Sequence, residues 1–320
     1  MKKASIKTIS IIVCVFCVFL CCFVFVGCEQ EKNLPITEDF IQPYLCRYWT
    51  VLDWENHIDK LQQKNYTTLI LQITAEIDCS EYVETCFPCQ ETTVSQSNTL
   101  DNMLTACKNK GFFARIGLCA FSDWWESPTN EKINNYIYIT NKTIDYISPY
   151  LDKYSSVVKG LYFTPELYTQ RFGYEILWAK FLSETIDKIN SINPNISLML
   201  SPYYSSHYGL TYSECFAMWK NFFLNANLRQ IDIIAPQDGS GLGEREANLI
   251  DDKLIIKNLR SCLLSCQQYS KCKFYVNIEF FTKTKGVYAS DEKIAHQRIL
   301  ASKFGEALIS FSYSHYYCSY

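Results

Sequence analysis

Short apolar runs alternate along this chain with longer stretches whose apolar positions recur every three to four residues. The short runs predict strands at 44–49, 68–74, 112–118, 160–163, 197–201, 231–235, 274–278 and 308–312. The longer stretches predict helices at 54–63, 100–110, 131–154, 174–192, 212–225, 246–269 and 291–303. Periodicity is clearest in the fourth of these, where Ile176, Leu177, Phe181, Leu182, Ile186 and Ile189 fall on one face. Asn193-Pro194 stops that helix, and Lys110-Gly111 ends an earlier one with a cation and a glycine.

Strands joined by helices argue for a parallel sheet. Eight predicted strands and seven helices make an α/β, (β/α)8 TIM barrel in which the last helix is absent. An open doubly wound sheet is the rival, but no glycine-rich phosphate loop follows the first predicted strand. The junction there reads Trp49-Thr50-Val51-Leu52-Asp53-Trp54, which offers nothing to a pyrophosphate. With no Pro/Gly/Ser-rich linker and no fixed-period repeat, residues 44–320 read as a single domain.

The N-terminus changes the picture. Lys2, Lys3 and Lys7 precede an apolar run over 11–26 that ends in Val26-Gly27-Cys28, the layout of a secretory signal. Gly27-Cys28 resembles the lipobox of bacterial lipoproteins. That resemblance implies a signal peptide at 1–27, a lipidated Cys28 and a tether over 28–43; an uncleaved transmembrane anchor is the alternative. Either way the barrel is expected outside the cytoplasmic membrane, at the cell surface or periplasmic face and held by its N-terminus. A formal net charge of -3 gives no reason to expect nucleic acid. Sixteen cysteines include Cys79, Cys86 and Cys89 in one group and Cys262, Cys266 and Cys272 in another. In an exported chain these could be disulfides; zinc is the weaker reading, because no partner CxxC or HxxxH exists.

In a barrel, chemistry sits at the C-terminal ends of the strands. The residues collected there are rich in carboxylates, amides and aromatics: Arg47, Trp49, Gln72, Trp124, Trp125, Glu166, Tyr168, Ser201, Tyr203, Gln237, Asp238, Glu279 and Tyr313. Nothing in that set calls for a cofactor or a metal, and the chain is expected to be a monomer with a carbohydrate substrate. Glu166 follows the fourth predicted strand and Glu279 the seventh, so both reach one rim. Glycoside hydrolysis needs such a pair, one acid to protonate the leaving oxygen and one to attack the sugar or activate water. The arrangement resembles the large clan of retaining glycosidases built on this barrel, with acid/base after strand four and nucleophile after strand seven. It departs from that clan at Pro165, where an asparagine usually precedes the glutamate.

Four segments, "LILQIT" (69–74), "TPELY" (164–168), "LSPYYS" (200–205) and "APQDGSGLG" (235–243), together resemble the bacterial domain of unknown function 4434 family. The resemblance covers most of the chain. It implies an exported, glycosidase-like TIM barrel with Gln72, Glu166, Ser201, Gln237, Asp238 and Glu279 lining the pocket. Two functions fit: a surface-anchored glycoside hydrolase using Glu166 and Glu279, or a carbohydrate-binding lipoprotein without catalysis.

Overall fold

A computed structural model of the chain describes residues 32–77, 98–124, 126–167, 173–203, 210–241, 252–282 and 288–318. Its elements are β1 (Ile36–Ile41), α1 (Pro43–Cys46), α2 (Val51–Gln63), β2 (Thr68–Leu71), β3 (Ala75–Ile77), α3 (Thr99–Lys110), β4 (Phe113–Gly117), β5 (Cys119–Phe121) and α4 (Asn130–Lys153). They continue as β6 (Val158–Phe163), α5 (Tyr174–Ile192), β7 (Ser197–Leu200), α6 (Tyr212–Asn225), β8 (Ile233–Ile234), α7 (Asp252–Tyr269), β9 (Lys273–Glu279), α8 (Asp291–Ala301), β10 (Ala307–Phe311) and α9 (Tyr313–Tyr316). Eight strands pair in parallel in the order β1-β2-β4-β6-β7-β8-β9-β10, and β10 returns to β1 to close a barrel. The TIM barrel expected from the periodicity is the fold. Its eighth helix is reduced to the four residues of α9. β3 and β5 continue past β2 and β4 as a separate parallel pair.

One element is misplaced by the sequence reading. The first strand is Ile36–Ile41 rather than 44–49, so the barrel begins within the stretch taken for a tether. Residues Glu38 and Asp39 break its apolar pattern, yet both are buried because each finds a partner. The aromatic run that mimicked a strand contains Tyr44 and Tyr48, which are 58% and 75% exposed around the short helix α1.

Side chains pointing into the barrel form layers. At the N-terminal end the Arg115 guanidinium holds Glu38 through two bonds, Nε to Oε2 at 2.7 Å and Nη2 to Oε1 at 3.1 Å, and donates to Ser197 Oγ at 3.0 Å. Such a buried pair is tolerated when both charges are fully hydrogen-bonded. A Cβ at Gly160 would lie 2.8 Å from that guanidinium and 2.3 Å from Ser197 Oγ, so a side chain there would displace the pair. Above it, Phe40, Ile70, Tyr162, Met199, Ile233 and Ile309 fill the middle. Gln72, Ser201, Gln237 and Asn277 stand nearest the C-terminal rim. Two-residue alternation then carries Glu279 inward after Asn277, and Glu166 comes three residues past the end of β6.

Helices begin where the sequence supplies acceptors for free amides. Thr50 with Asp53 forms a capping box on α2, and Thr211 with Glu214 forms another on α6. Gly111 closes α3 in the left-handed region at φ 63°. α5 buries Trp178, Phe181, Leu182, Ile186 and Ile189 against the barrel. Fully burying each such side chain stabilises the fold by about 1.5–3 kcal/mol. Neither of two histidines reaches the barrel mouth. His57 is buried against Ser314 Oγ at 2.9 Å, its ring pushed down to about 3 by burial, and His296 faces Asp252 at 3.0 Å on the surface.

The described cysteines are all free thiols, including Cys262, Cys266 and Cys272. Cys266 and Cys272 bring their sulfurs to 3.5 Å, a thiol contact well outside the ~2 Å of a covalent bond. Of the readings open for this group, the structure has buried free thiols. The group at Cys79, Cys86 and Cys89 lies outside the described residues, as does Cys28. Among the described residues no helix is long and apolar enough to cross a membrane.

Candidate active site

Closure of the barrel brings the ends of β6, β8 and β9 together. β9 delivers Glu279, only 2% exposed. Its Oε2 accepts from the Gly241 amide at 2.5 Å. A Cβ at Gly241 would lie 2.8 Å from that oxygen and 2.4 Å from the Phe281 ring, so the backbone reaches the carboxylate only because residue 241 has no side chain. Past the end of β6, Glu166 stands half-buried at the mouth. Its carboxyl bonds the side chain of Gln237. Gln237 in turn donates to the Ser201 carbonyl at 3.3 Å and bridges by its backbone to Asn277, two residues before Glu279. Asn277 Nδ2 donates to Ser201 Oγ at 2.9 Å. One polar layer thus ties the two glutamates to a common rim.

Burial raises the pKa of Glu166 to about 7, opposed by the Gln237 bond. Burial also lifts Glu279 well above the carboxylate range, reinforced by the charges of Asp238 and Glu166, while the Gly241 amide and Lys293 oppose it. Carboxyl groups that feel one another this way cannot all ionise together, and one of them keeps a proton at neutral pH.

Asp238 faces the other way. It follows Gln237 by one residue and so turns out of the barrel, toward α8. Its Oδ2 accepts from Gln297 Nε2 at 2.8 Å, and its Oδ1 from the amides of Ser240 at 3.1 Å and Glu279 at 3.4 Å. Gln297 Nε2 also contacts Ser240 Oγ and donates to the Glu279 carbonyl at 3.2 Å. Lys293 reaches the Ser240 carbonyl at 3.2 Å. Asp238 therefore sits behind the wall and fixes the Gln237–Gly241 segment that grips Glu279. A role on substrate, expected for it from its strand-end position, does not follow from this orientation.

The remaining expected residues divide by position. Gln72 lies half-buried at the end of β2, its carbonyl accepting from Thr164 Oγ1 at 3.3 Å. Ser201 is in the rim layer, and Tyr203 is half-buried two residues beyond it. Trp124 is half-buried against the main core. Arg47 lies over the Tyr48 ring at 4.7 Å, and its carbonyl accepts from Thr99 at the start of α3. Two more are engaged in ring contacts away from the polar layer. Trp49 packs edge-on to Trp54 at 4.8 Å and beside His57 at 5.1 Å, under α2. Tyr313, carried outward by the first turn of α9, stacks on Tyr317 beside the barrel. Trp125 and Tyr168 lie outside the described residues.

The sequence reading missed Gly241, Ser240, Gln297 and Tyr316. Gly241 was visible as part of the Gly239–Gly241 pair, but a glutamine inside a helix carries no signal. Tyr316 stacks on Phe281 at 5.6 Å and feels the charge of Glu279, its hydroxyl pushed up to about 12 chiefly by burial. Among the described residues no cluster of three side chains could hold a metal ion.

Solved structures share the architecture. A candidate alpha-L-fucosidase from Bacteroides thetaiotaomicron VPI-5482 matches at a TM-score of 0.65 and 15% identity, covering 91% of this chain and 89% of its own. An intracellular xylanase from Thermoanaerobacterium saccharolyticum JW/SL-YS485 matches at 0.53 and 11%, covering 90% of each chain. A hyperthermophilic endocellulase from the archaeon Pyrococcus horikoshii matches at 0.53 and 10%, covering 88% of this chain and 84% of its own. At such identities the likeness is one of fold. No curated protein sequence matches the chain. The model of the Domain of unknown function (DUF4434) matches residues 36–319, and the chain belongs to that family.

Proposed function

We propose that this protein is a glycoside hydrolase acting on oligo- or polysaccharide outside the cytoplasmic membrane, tethered through a lipid on Cys28. One observation carries the reading: Glu166, half-buried past the end of β6 and bonded to Gln237, and Glu279, buried at the end of β9, both stand at the C-terminal ends of barrel strands. Glu166, held near 7, keeps a proton to give to the glycosidic oxygen as the bond to the anomeric carbon breaks. Glu279 is the nucleophile. Its carboxylate attacks the anomeric carbon, and the ionised Glu166 then takes a proton from the water that releases the sugar with retained configuration. The barrels it resembles in fold include proteins described as a xylanase and an endocellulase, which supports a carbohydrate substrate.

Glu166→Gln and Glu279→Gln should each reduce release of sugar from the cleaved glycan by at least about a thousandfold while remaining folded and, at pH 4.5, about as stable as native. Full activity in either variant would dismiss that residue's role. Product anomers followed by NMR immediately after cleavage should show retention.

A carbohydrate-binding protein without turnover is the second reading, favoured by one feature. Burial and Asp238 favour the protonated form of Glu279, whereas a nucleophile must ionise. Glycan binding without release of reducing ends at any pH between 5 and 9 would select this alternative.

A further inference from the structure

Around much of the barrel, neighbouring helices pack side by side: α2 on α3, α4 on α5, α5 on α6, and α6 on α7. After β10 the described residues make only the single turn α9, and among them no long helix lies between α8 and α2. A cavity of about 690 Å³ occurs there, the size of a small-molecule site. Aromatic rings form one wall. Tyr66 and Tyr313 have centroids 5.6 Å apart, Tyr313 and Tyr317 lie 5.7 Å apart and within 8° of parallel, and Tyr317 meets Tyr288 at 5.0 Å. The Tyr317 hydroxyl donates to the Ala289 carbonyl, and the Tyr66 hydroxyl lies 3.1 Å from Ser310 Oγ, so two of the rings are pinned before any ligand arrives. Tyr288 is 56% exposed. Lys64, Asp291 and Arg298 also line the cavity.

We propose that this groove is a second carbohydrate-binding site, taking a neutral glycan chain across Tyr313, Tyr317 and Tyr288. The proposal rests on the reading that the barrel acts on carbohydrate. A sugar ring has an apolar face of C–H groups and a hydroxyl edge, matching a tyrosine that offers an apolar body and a polar tip. A docked helix would instead need a continuous apolar stripe. Here the rings carry hydroxyls, and an ammonium, a guanidinium and a carboxylate stand beside them, groups that hydrogen-bond a hydroxyl-rich ligand. Tyr316 lines the cavity and stacks on Phe281, whose ring lies beside Gly241 and so beside Glu279, and the groove thus adjoins the mouth. A long chain held there would be led to the rim.

Affinity electrophoresis of the full chain tests this, in gels holding soluble xylan, mixed-linkage β-glucan or fucosylated xyloglucan. The native protein should be retarded in at least one gel. Tyr288→Ala should weaken that retardation about 3- to 10-fold, with Tyr313→Ala acting in the same direction. Turnover of a short aryl glycoside, too small to leave the mouth, should be unchanged in Tyr288→Ala. Retardation equal to native in Tyr288→Ala, or no retardation of the native chain in any gel, overturns the proposal. So does a dimer that Tyr288→Ala converts to monomer in light scattering, which would assign the groove to a second copy. Failure of the hydrolase reading looks different: the native chain would then release no reducing ends from any of these glycans, whatever the gels show.

Discussion

Replacing Glu166 by glutamine separates the chemistry of this carboxyl from its effect on the fold. Burial raises its pKa to about 7, against 4.5 for the free side chain. The folded state therefore favours the protonated form. That advantage is complete below about pH 4.5 and is lost as the pH rises through about 7. At about 1.4 kcal/mol per pH unit the gap amounts to about 3 kcal/mol, reduced to about 2 kcal/mol because the half-buried group opens on the mouth and is partly screened. Glutamine has the same shape, keeps an oxygen for the Gln237 amide, and cannot ionise. Glu166→Gln should thus match native stability at pH 4.5 and exceed it by about 2 kcal/mol at pH 8.5, measured by urea unfolding at both values. Turnover should be lost in the variant, and native kcat/KM should fall above about pH 7 as Glu166 gives up its proton. The variant would be the more stable protein and the dead one. Parallel pH dependence of unfolding in the two proteins would refute the reasoning, because it would mean that Glu166 ionises as easily folded as unfolded.

Three further outcomes are expected. Gly241→Ala drives a methyl to within 2.8 Å of Glu279 Oε2 and 2.4 Å of the Phe281 ring; losing the amide bond should lower kcat/KM about 10- to 100-fold, and a change under threefold would count against it. Glu38→Gln strips Arg115 of its partner inside the barrel and should destabilise by about 3–5 kcal/mol in urea, with the double change Glu38→Leu, Arg115→Met recovering most of the loss; equal stability of Glu38→Gln and native would sink that account. Cys28→Ser should move the protein from the membrane fraction to the soluble one and abolish incorporation of labelled fatty acid, while continued membrane retention would favour an uncleaved anchor.

Legibility in the sequence followed how locally each feature is determined. α5 and α6 begin and end where periodicity and punctuation put them, at Tyr174–Ile192 and Tyr212–Asn225, because amphipathic spacing and N-caps are short-range signals. β1 was hidden because its acids are neutralised by partners far along the chain. Arg115 takes Glu38, and the amides of Tyr313 and Ser314 donate to Asp39 at 2.7 Å each. The same Asp39 contacts fix the start of α9 and with it the place of Tyr313. Trp49 went astray with β1, having been counted at a strand end when it stands at the entrance to α2. At the site, Glu166 and Glu279 were legible because strand rank suffices to bring them to the rim. Gln297 was not, since its value lies in reaching Asp238, Ser240 and the Glu279 backbone from the next helix. The two rim glutamates can be read from the order of strands; the groups that set their charge are supplied by tertiary packing and can be read only from the closed barrel.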